Sequence, residues 1–317
     1  MNLGDLSFAA VDAALRTTGV AIAFGPFAVR FKIREPELAR ALYHLYAGYP
    51  LVDPEQTVLF SEVRVVPERL WSDFFRRGFA IYADGELHGR SLDLPLALPS
   101  VEWTINWRIA TRAHRYAMIH AAVAEHDGRA LILPGDPGSG KSTLCAALVG
   151  RGWRLLSDEF ALLRPEDGML MPMPRPMSLK NQSIDLIRAV APHLRFGPAV
   201  SGTTKGTVAL AAPPAESILR QGEPARPQWI IFPAWREEAT TPELKPLSRS
   251  EAFADLTDNG INYDIIGEAG FRAFRGLVES CAAYRLTFGR LTDALDVVDS
   301  LDRQTHAGGV PADARAR

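Results

Sequence analysis

The stretch Gly135-Asp136-Pro137-Gly138-Ser139-Gly140-Lys141-Ser142 decides how the fold of this chain is interpreted. It fits the pattern G-x-x-x-x-G-K-[ST] at every fixed position. Glycines let the backbone curl into conformations closed to other residues, so successive N–H groups can point inward and form an anion-binding nest. A helix predicted to start near Lys141 adds the positive end of its dipole to that nest.

The sequence on either side of the loop predicts the strand–loop–helix setting that phosphate binding requires. An apolar run at 130–133 predicts a strand, and a helix is predicted from Lys141 to about Gly150. Lys141 is expected to place its charge on the β- and γ-phosphates, and the Ser142 hydroxyl is the expected magnesium ligand. The predicted phosphate-binding residues are Gly135, Asp136, Pro137, Gly138, Ser139, Gly140, Lys141, Ser142 and Thr143.

Two carboxylates follow soon after the loop. Asp158 and Glu159 end the apolar run at 153–157, only 17 and 18 positions after Lys141. A phosphoryl-transfer site needs carboxylates near its metal ion, and the predicted strand directs these two to the sheet edge that carries the loop. Asp158, Glu159 and Ser142 are therefore the candidate metal ligands. The alternative is a solvated acidic turn at a strand end.

A histidine precedes the loop in a predicted strand. His120 stands within the apolar run at 118–122. Taken alone, a single histidine in a strand is more often a satisfied core residue than a functional group, because burial and one hydrogen bond explain it fully.

His120, the phosphate loop and Asp158-Glu159 together resemble the catalytic domain of HPr kinase/phosphorylase. That family has a histidine 15 positions before the first loop glycine, an acidic residue directly after that glycine, and an acidic pair downstream. The stretch at 150–159 is still more similar to the divergent HPr kinase-related branch (HprK-related kinase A). So are the residues around Glu102-Trp103, Pro174-Arg175-Pro176 and Thr204-Lys205-Gly206-Thr207.

The resemblance implies an α/β fold, with a P-loop kinase core of the HPr kinase/phosphoenolpyruvate carboxykinase-like type, a mixed sheet and an N-terminal α+β region. It implies ATP and Mg²⁺ as cofactors and transfer of the γ-phosphate to a hydroxyl, with serine as the expected type. By position, Asp158 would be the general base, His120 would assist the proton relay beside Lys141, and Glu159 would hold the metal. HPr kinases are hexamers, so a homo-oligomer is an open expectation.

Two departures from the family pattern limit this carry-over. The second acidic residue is Glu159, where HPr kinases have aspartate, and Ser178-Leu179-Lys180-Asn181 stands where that family has a metal-binding glutamate motif. Lys180 or Lys205 is hypothesised to contact phosphate, with a solvated surface lysine as the alternative for each. HPr itself is not the expected substrate. The acceptor stays open among a protein, a peptide and a small molecule, including one from a peptide-modification system.

Composition sets broader bounds. Lys plus Arg total 35 and Asp plus Glu 37, so no strong basic field exists for a nucleic-acid backbone. No apolar run reaches the ~18 residues that span a bilayer. The two cysteines are expected to be reduced thiols, and a cytoplasmic location is expected. The predicted division is an N-terminal region at 1–110, a catalytic domain at 111–303 and a disordered tail at 304–317.

Two functions remain open from the sequence. The first is an ATP- and magnesium-dependent kinase, which the Asp158-Glu159 pair and His120 favour because a pure sensor needs no base. The alternative is a non-catalytic ATP-binding regulatory module. A carboxykinase-type lyase is disfavoured, since the sequence lacks a second metal-binding set.

Overall fold

A computed structural model of the chain describes residues 1–69, 77–91 and 93–306. It confirms a mixed α/β fold. The helices are α1 (Phe8–Arg16), α2 (Pro36–Tyr46), α3 (Ala97–Arg112), α4 (Lys141–Gly150), α5 (Gln182–Val190), α6 (Ala215–Leu219), α7 (Arg249–Asp258), α8 (Tyr263–Ile266), α9 (Glu268–Ser280) and α10 (Leu291–His306), with short 3-10 turns at Leu3–Asp5 and Leu94–Leu96.

The strands are β1 (Val20–Phe24), β2 (Phe27–Ile33), β3 (Ser61–Arg69), β4 (Arg77–Ala83), β5 (Glu86–Ser91), β6 (Ala117–His126), β7 (Arg129–Pro134), β8 (Arg154–Ser157), β9 (Phe160–Leu163), β10 (Leu170–Met171), β11 (Met177–Lys180), β12 (Val200–Thr203), β13 (Gly206–Ala211), β14 (Arg226–Trp235), β15 (Glu243–Pro246) and β16 (Ala282–Phe288).

The chain divides into two compact units. The first unit combines Met1–Ala113 with Met173–Leu186 and Leu194–Gly222; the second combines His114–Pro172, Ile187–His193 and Glu223–Arg317. The division near residue 113 lies close to the predicted boundary at 110. The two later segments of the first unit fall inside the range that the sequence had assigned to the catalytic domain.

The first unit contains two sheets over its described residues. One has the order β1-β2-β3-β4-β5, with only β2 and β3 parallel, and the other has the order β11-β13-β12. The polar sequence at Ser201–Thr207 predicts a loop, and this prediction is wrong, because these residues form most of the β12–β13 hairpin. Its strand ends are largely exposed, so no apolar alternation marked them as strands.

A buried charge network lies inside the first unit. Glu102 accepts hydrogen bonds from the Arg175 guanidinium and from the Tyr46 hydroxyl, and the exposed fraction of the Glu102 and Arg175 side chains is 6 % each. The Tyr49 hydroxyl nearby donates to the Pro174 carbonyl at 2.8 Å. Burial, followed by the charge of Glu102, raises the pKa of both tyrosines well above the ordinary value.

The second unit is built on one mixed sheet. Its described strands run β10-β9-β6-β7-β14-β16-β15, and β8 also pairs with β6. Strand β14 is parallel to both β7 and β16, so the carboxyl ends of these three strands meet at one edge. One face of the sheet, including Ile119, Ala121 and Val123, packs in an apolar cluster with α7 and α9. Helix α4 packs against β6 and β7 as well.

Two helix ends differ from the sequence-based expectation. The helix predicted at Ala269–Ala283 ends at Ser280, because Ala282 already pairs with Trp229 in β16. Helix α10 continues to His306, beyond the predicted tail boundary at 303. The rest of the predicted disordered tail, 307–317, lies outside the described residues.

Two further expectations concern the chain as a whole. Cys145 and Cys281, both in the described part of the chain, are free thiols, as predicted. Burial raises the pKa of the Cys281 thiol to about 12. None of the helices within the described residues is long and apolar enough to cross a membrane.

Candidate functional site

Strand register brings the three sequence motifs to one edge of the second unit's sheet. Across the β6–β7 ladder Ala121 pairs with Pro134, the residue directly before Gly135. Across the β6–β9 ladder His120 pairs with Phe160, the residue directly after Glu159. Asp158-Glu159, His120 and the start of the phosphate loop therefore lie on three neighbouring strands, each about 4.8 Å from the next.

The phosphate loop has the backbone geometry that its glycines permit. Gly138 and Gly140 have φ angles of 92° and 97°, which other residues rarely adopt. A side chain at Gly140 would also collide, since an added Cβ would lie 2.9 Å from Cζ of Phe288. The Gly140 carbonyl accepts from the Leu144 N–H at 2.9 Å, so the loop turns directly into α4.

Ser139 is the loop residue with an unused polar group. Its hydroxyl oxygen is buried and makes no hydrogen bond to any group in the described residues. Its backbone is held on both sides, because the N–H donates to the Asp136 carbonyl at 3.2 Å and the carbonyl accepts from the Trp235 N–H at 3.0 Å. A fixed backbone with a spare hydroxyl suits a loop that receives a ligand oxygen.

The first turn of α4 carries the motif's lysine and hydroxyls. Lys141 is buried, with 8 % of its surface exposed, while Ser142 and Thr143 are half-buried. Asp158 is buried too, and its carboxylate adds to the burial that raises the pKa of Cys145, one turn beyond Lys141 on α4. Asp158 is therefore a buried carboxylate near Cys145 of α4, which removes the alternative of a solvated acidic turn at this residue.

His120 and Glu159 lie side by side. His120 Nδ1 is 3.2 Å from the Glu159 carbonyl oxygen and 3.9 Å from its carboxylate Oε2, and both side chains are about one-third exposed, at 34 % and 32 %. The backbone N–H of His120 donates to the Asn259 carbonyl at 2.8 Å. The Ser157 hydroxyl accepts from the N–H groups of Glu159 and Phe160, which fixes the turn between β8 and β9.

His120 lies on the face of the sheet opposite the apolar cluster with α7 and α9. Ile119 and Ala121, its neighbours in β6, belong to the apolar cluster with α7 and α9. Successive strand side chains point to opposite faces, so His120 lies on the other face of the sheet. It is therefore a half-exposed histidine at the sheet edge, which removes the interpretation of a fully buried core residue.

The predicted metal ligands form an incomplete coordination set. Over the described residues, no group of three or more His, Cys, Asp and Glu side chains is close enough to hold a metal ion. Ser142, Asp158 and Glu159 supply one hydroxyl and two carboxylates. Mg²⁺ usually takes one or two carboxylates and completes its shell with substrate phosphates and water. The donor set therefore fits a magnesium ion that arrives with a nucleotide.

A cavity of about 720 Å³ opens beside the loop. That volume lies within the range of small-molecule sites. Its lining combines the loop, the carboxyl end of β14 and the end of α7: Gly135, Asp136, Pro137, Gly138, Ser139, Phe232, Pro233, Ala234, Trp235, Arg236, Asp255, Asp258, Asn259 and Arg285.

The two lysines hypothesised as phosphate contacts belong to the first unit. Lys205 lies over the Trp103 ring, with its Nζ 5.6 Å from the ring centroid. The Lys180 backbone N–H donates to the Ser183 hydroxyl at 2.8 Å. The neighbouring Asn181 accepts from the Thr207 N–H at 3.0 Å, so this segment is tied to the β12–β13 hairpin. Neither lysine therefore belongs to the unit that contains the phosphate loop.

Sequence reasoning missed the cavity wall formed by Trp235. The predicted strand stopped at Phe232, three residues before the end of β14. Pro233 lies inside β14, and the carboxyl ends of β14 and β7 lie at the same edge of the sheet. Extending the strand through Pro233 would have placed Trp235 at the sheet edge beside the loop.

Comparisons with known proteins add little to this geometry. No family model matches the chain, and no curated protein matches it. Among solved structures, the Hpr(Ser) kinase/phosphatase from Coxiella burnetii aligns with 60 % of this chain and 97 % of its own, at 15 % identity and a TM-score of 0.30. A likeness at that TM-score carries no argument, so a functional assignment rests on the site itself.

Proposed function

We propose that this chain is an ATP- and magnesium-dependent kinase that transfers the γ-phosphate to a hydroxyl, with serine as the favoured type. The observation that carries the proposal is the strand register of β7, β6 and the β8–β9 turn. It places a glycine-rich anion-binding loop, a half-exposed histidine and two carboxylates on adjacent strands at one edge of a sheet. Phosphoryl transfer needs these parts, and needs them close together.

Phosphate binding follows from the loop and α4. The positive φ angles of Gly135, Gly138 and Gly140 turn the backbone tightly ahead of a ten-residue helix. Backbone N–H groups and the positive helix end favour phosphate oxygens there. The spare hydroxyl of Ser139 and the charge of Lys141 would add side-chain contacts. Buried hydroxyls without a hydrogen-bond partner are rare in proteins. The Ser139 hydroxyl therefore favours a ligand-binding loop over a glycine-rich turn that binds nothing.

Asp158 and Glu159 are assigned different roles. We assign Ser142 and Glu159 to the magnesium ion, with Asp158 near it, and that ion would neutralise phosphate charge when it is bound. Asp158 is assigned as the base that accepts the acceptor hydroxyl's proton. The hydroxyl oxygen attacks the γ-phosphorus, the bond to the β–γ bridging oxygen breaks, and the nucleoside diphosphate leaves. His120, beside Glu159, would orient that carboxylate and relay the proton.

The second candidate is a non-catalytic ATP-binding module. The burial of Asp158 against α4 favours the kinase, because holding a carboxylate out of water beside the loop serves a base better than a sensor. The acceptor is proposed as a hydroxyl on a protein, peptide or small molecule, including a component of a peptide-modification system. Lys180 and Lys205 stay hypothetical contacts to that acceptor or its phosphate.

The test is transfer of radiolabelled γ-phosphate from ATP in the presence of magnesium and lysate from the source cell. Wild type should label one acceptor, and Asp158→Asn should reduce labelling by about 10²–10⁴-fold, because that is what a positioned base contributes. Asp167→Asn is the matched control, since Asp167 pairs with Arg164 on an exposed turn. No acceptor labelling by wild type, with ATP binding intact, would favour the non-catalytic module.

A further inference from the structure

We propose that Trp235 is the platform on which the nucleobase of the bound triphosphate stacks, so that the site binds a nucleoside triphosphate more tightly than a bare triphosphate. This inference rests on the proposed nucleotide binding at the phosphate loop and extends it to the other end of the ligand. Nothing in the loop motif itself identifies a base-binding residue.

Trp235 is held rigidly next to the loop. Its backbone N–H donates to the Ser139 carbonyl at 3.0 Å, and its indole Nε1–H donates to the Gly289 carbonyl at 3.0 Å. An added Cβ at Gly140 would lie 3.4 Å from the Trp235 Cβ, so the two backbones approach closely. The indole is therefore fixed both through its own backbone and through its ring nitrogen.

The indole is nevertheless open to a ligand. Trp235 is 42 % exposed, although it is anchored at two points, and it lines the cavity that also borders Gly135–Ser139. A large aromatic surface that is both immobile and exposed loses little conformational entropy when a planar ring stacks on it. Arg236 and Arg285 line the same cavity and can add polar contacts.

The order of the strands fixes which end of the nucleotide reaches Trp235. The sheet places β8 and β9 on one side of β6, and β7 and then β14 on the other. The carboxylates therefore lie on one side of the loop, and Trp235 lies on the opposite side. The γ-phosphate must face the carboxylates, so the nucleoside extends towards β14. About three strand spacings, roughly 14 Å, separate the two ends.

The experiment measures the binding of Mg-ATP and of magnesium tripolyphosphate to the full chain by calorimetry. Trp235→Ala should weaken ATP binding by about 5- to 100-fold, the usual loss when a stacking aromatic is removed. Tripolyphosphate has no base, so its affinity should not change. Trp235→Phe should restore part of the ATP affinity. Trp107→Ala removes a comparably exposed indole in the first unit, 47 % exposed, and should change neither affinity.

Two outcomes would overturn the stacking role. Unchanged ATP affinity in Trp235→Ala would show that the base lies elsewhere. Equal weakening of ATP and tripolyphosphate would show that the indole only supports the loop. Failure of the proposed nucleotide site at the loop is distinguishable from both, because wild type would then bind neither ATP nor tripolyphosphate.

Discussion

The buried charged side chains of the two units have different surroundings. In the first unit, Glu102 and Arg175 are almost fully buried and are paired with each other, with Tyr46 completing the network. In the second unit, Asp158 and Lys141 are also buried, but they lie at a sheet edge beside a glycine loop, and that loop borders a cavity of about 720 Å³. The first arrangement joins two chain segments; the second places charge beside a loop that borders a cavity.

The difference shows why burial alone does not identify a functional residue. A desolvated ion pair is costly to break and contributes mainly to the specificity or integrity of a fold. A buried charge beside a glycine-rich loop that borders a cavity is better assigned to chemistry. The contrast between the two units can be tested by removing charge from each.

The largest expected effect on stability comes from the first unit. Glu102→Gln should lower the free energy of unfolding by about 3–5 kcal/mol, because it leaves the Arg175 guanidinium buried without its counter-ion. Urea denaturation measures the change. The double variant Glu102→Gln/Arg175→Met should lose less than the sum of the two single variants, since the pair is coupled.

Additive losses would show that the buried pair is not coupled. Asp158→Asn should have a much smaller effect on unfolding than on phosphate transfer. A loss of stability in Asp158→Asn as large as that in Glu102→Gln would remove the distinction between the two units.

A smaller effect is expected from alkaline pH. The pKa values of Tyr46 and Tyr49 are raised in the folded protein, so above about pH 10 the unfolded chain loses phenolic protons that the folded chain keeps. The stability that these tyrosines contribute is complete below about pH 10 and is lost as pH rises through their folded pKa values. At about pH 11 the loss should reach about 1.4 kcal/mol per tyrosine.

Urea midpoints at several pH values test this expectation. Tyr46→Phe should reduce the loss at about pH 11 by about 1.4 kcal/mol, its own share. Tyr43→Phe is the control, because Tyr43 is half-buried and its hydroxyl donates to the Leu6 carbonyl. An identical alkaline loss in Tyr46→Phe and wild type would contradict the role of the buried network.

The sequence predicts the loop and its helix, because glycines and apolar periodicity are local signals. Helix α4 appears at the predicted bounds, and the strand predicted at 130–133 lies within β7. Sequence reasoning missed α3 and the β12–β13 hairpin, since Pro99 stands in the first turn of α3 and the hairpin has exposed strand ends. The Glu102–Arg175 pair joins residues 73 positions apart, and no local pattern reports such a contact.

Local signals and non-local contacts also separate what could and could not be predicted of the candidate site. The loop, Asp158-Glu159 and His120 were marked by residue type and spacing. Their alignment across three strands depends on β8 and β9 both pairing with β6, which is a non-local property. The sequence did not indicate Trp235, because Pro233 lies within β14 and a proline usually argues against a strand at its position.

The most direct measurement is calorimetric titration of the full chain with Mg-ATP, comparing wild type, Lys141→Met and Lys32→Met. Lys141→Met keeps the apolar stem of a buried side chain but removes its charge, and Lys32 is a partly exposed lysine paired with Glu62 in the first unit. We expect wild type and Lys32→Met to bind alike and Lys141→Met to bind at least about tenfold more weakly, as the loss of a charge-assisted hydrogen bond requires. Absence of ATP binding by wild type, or equal binding by all three proteins, would contradict a phosphate site at this loop.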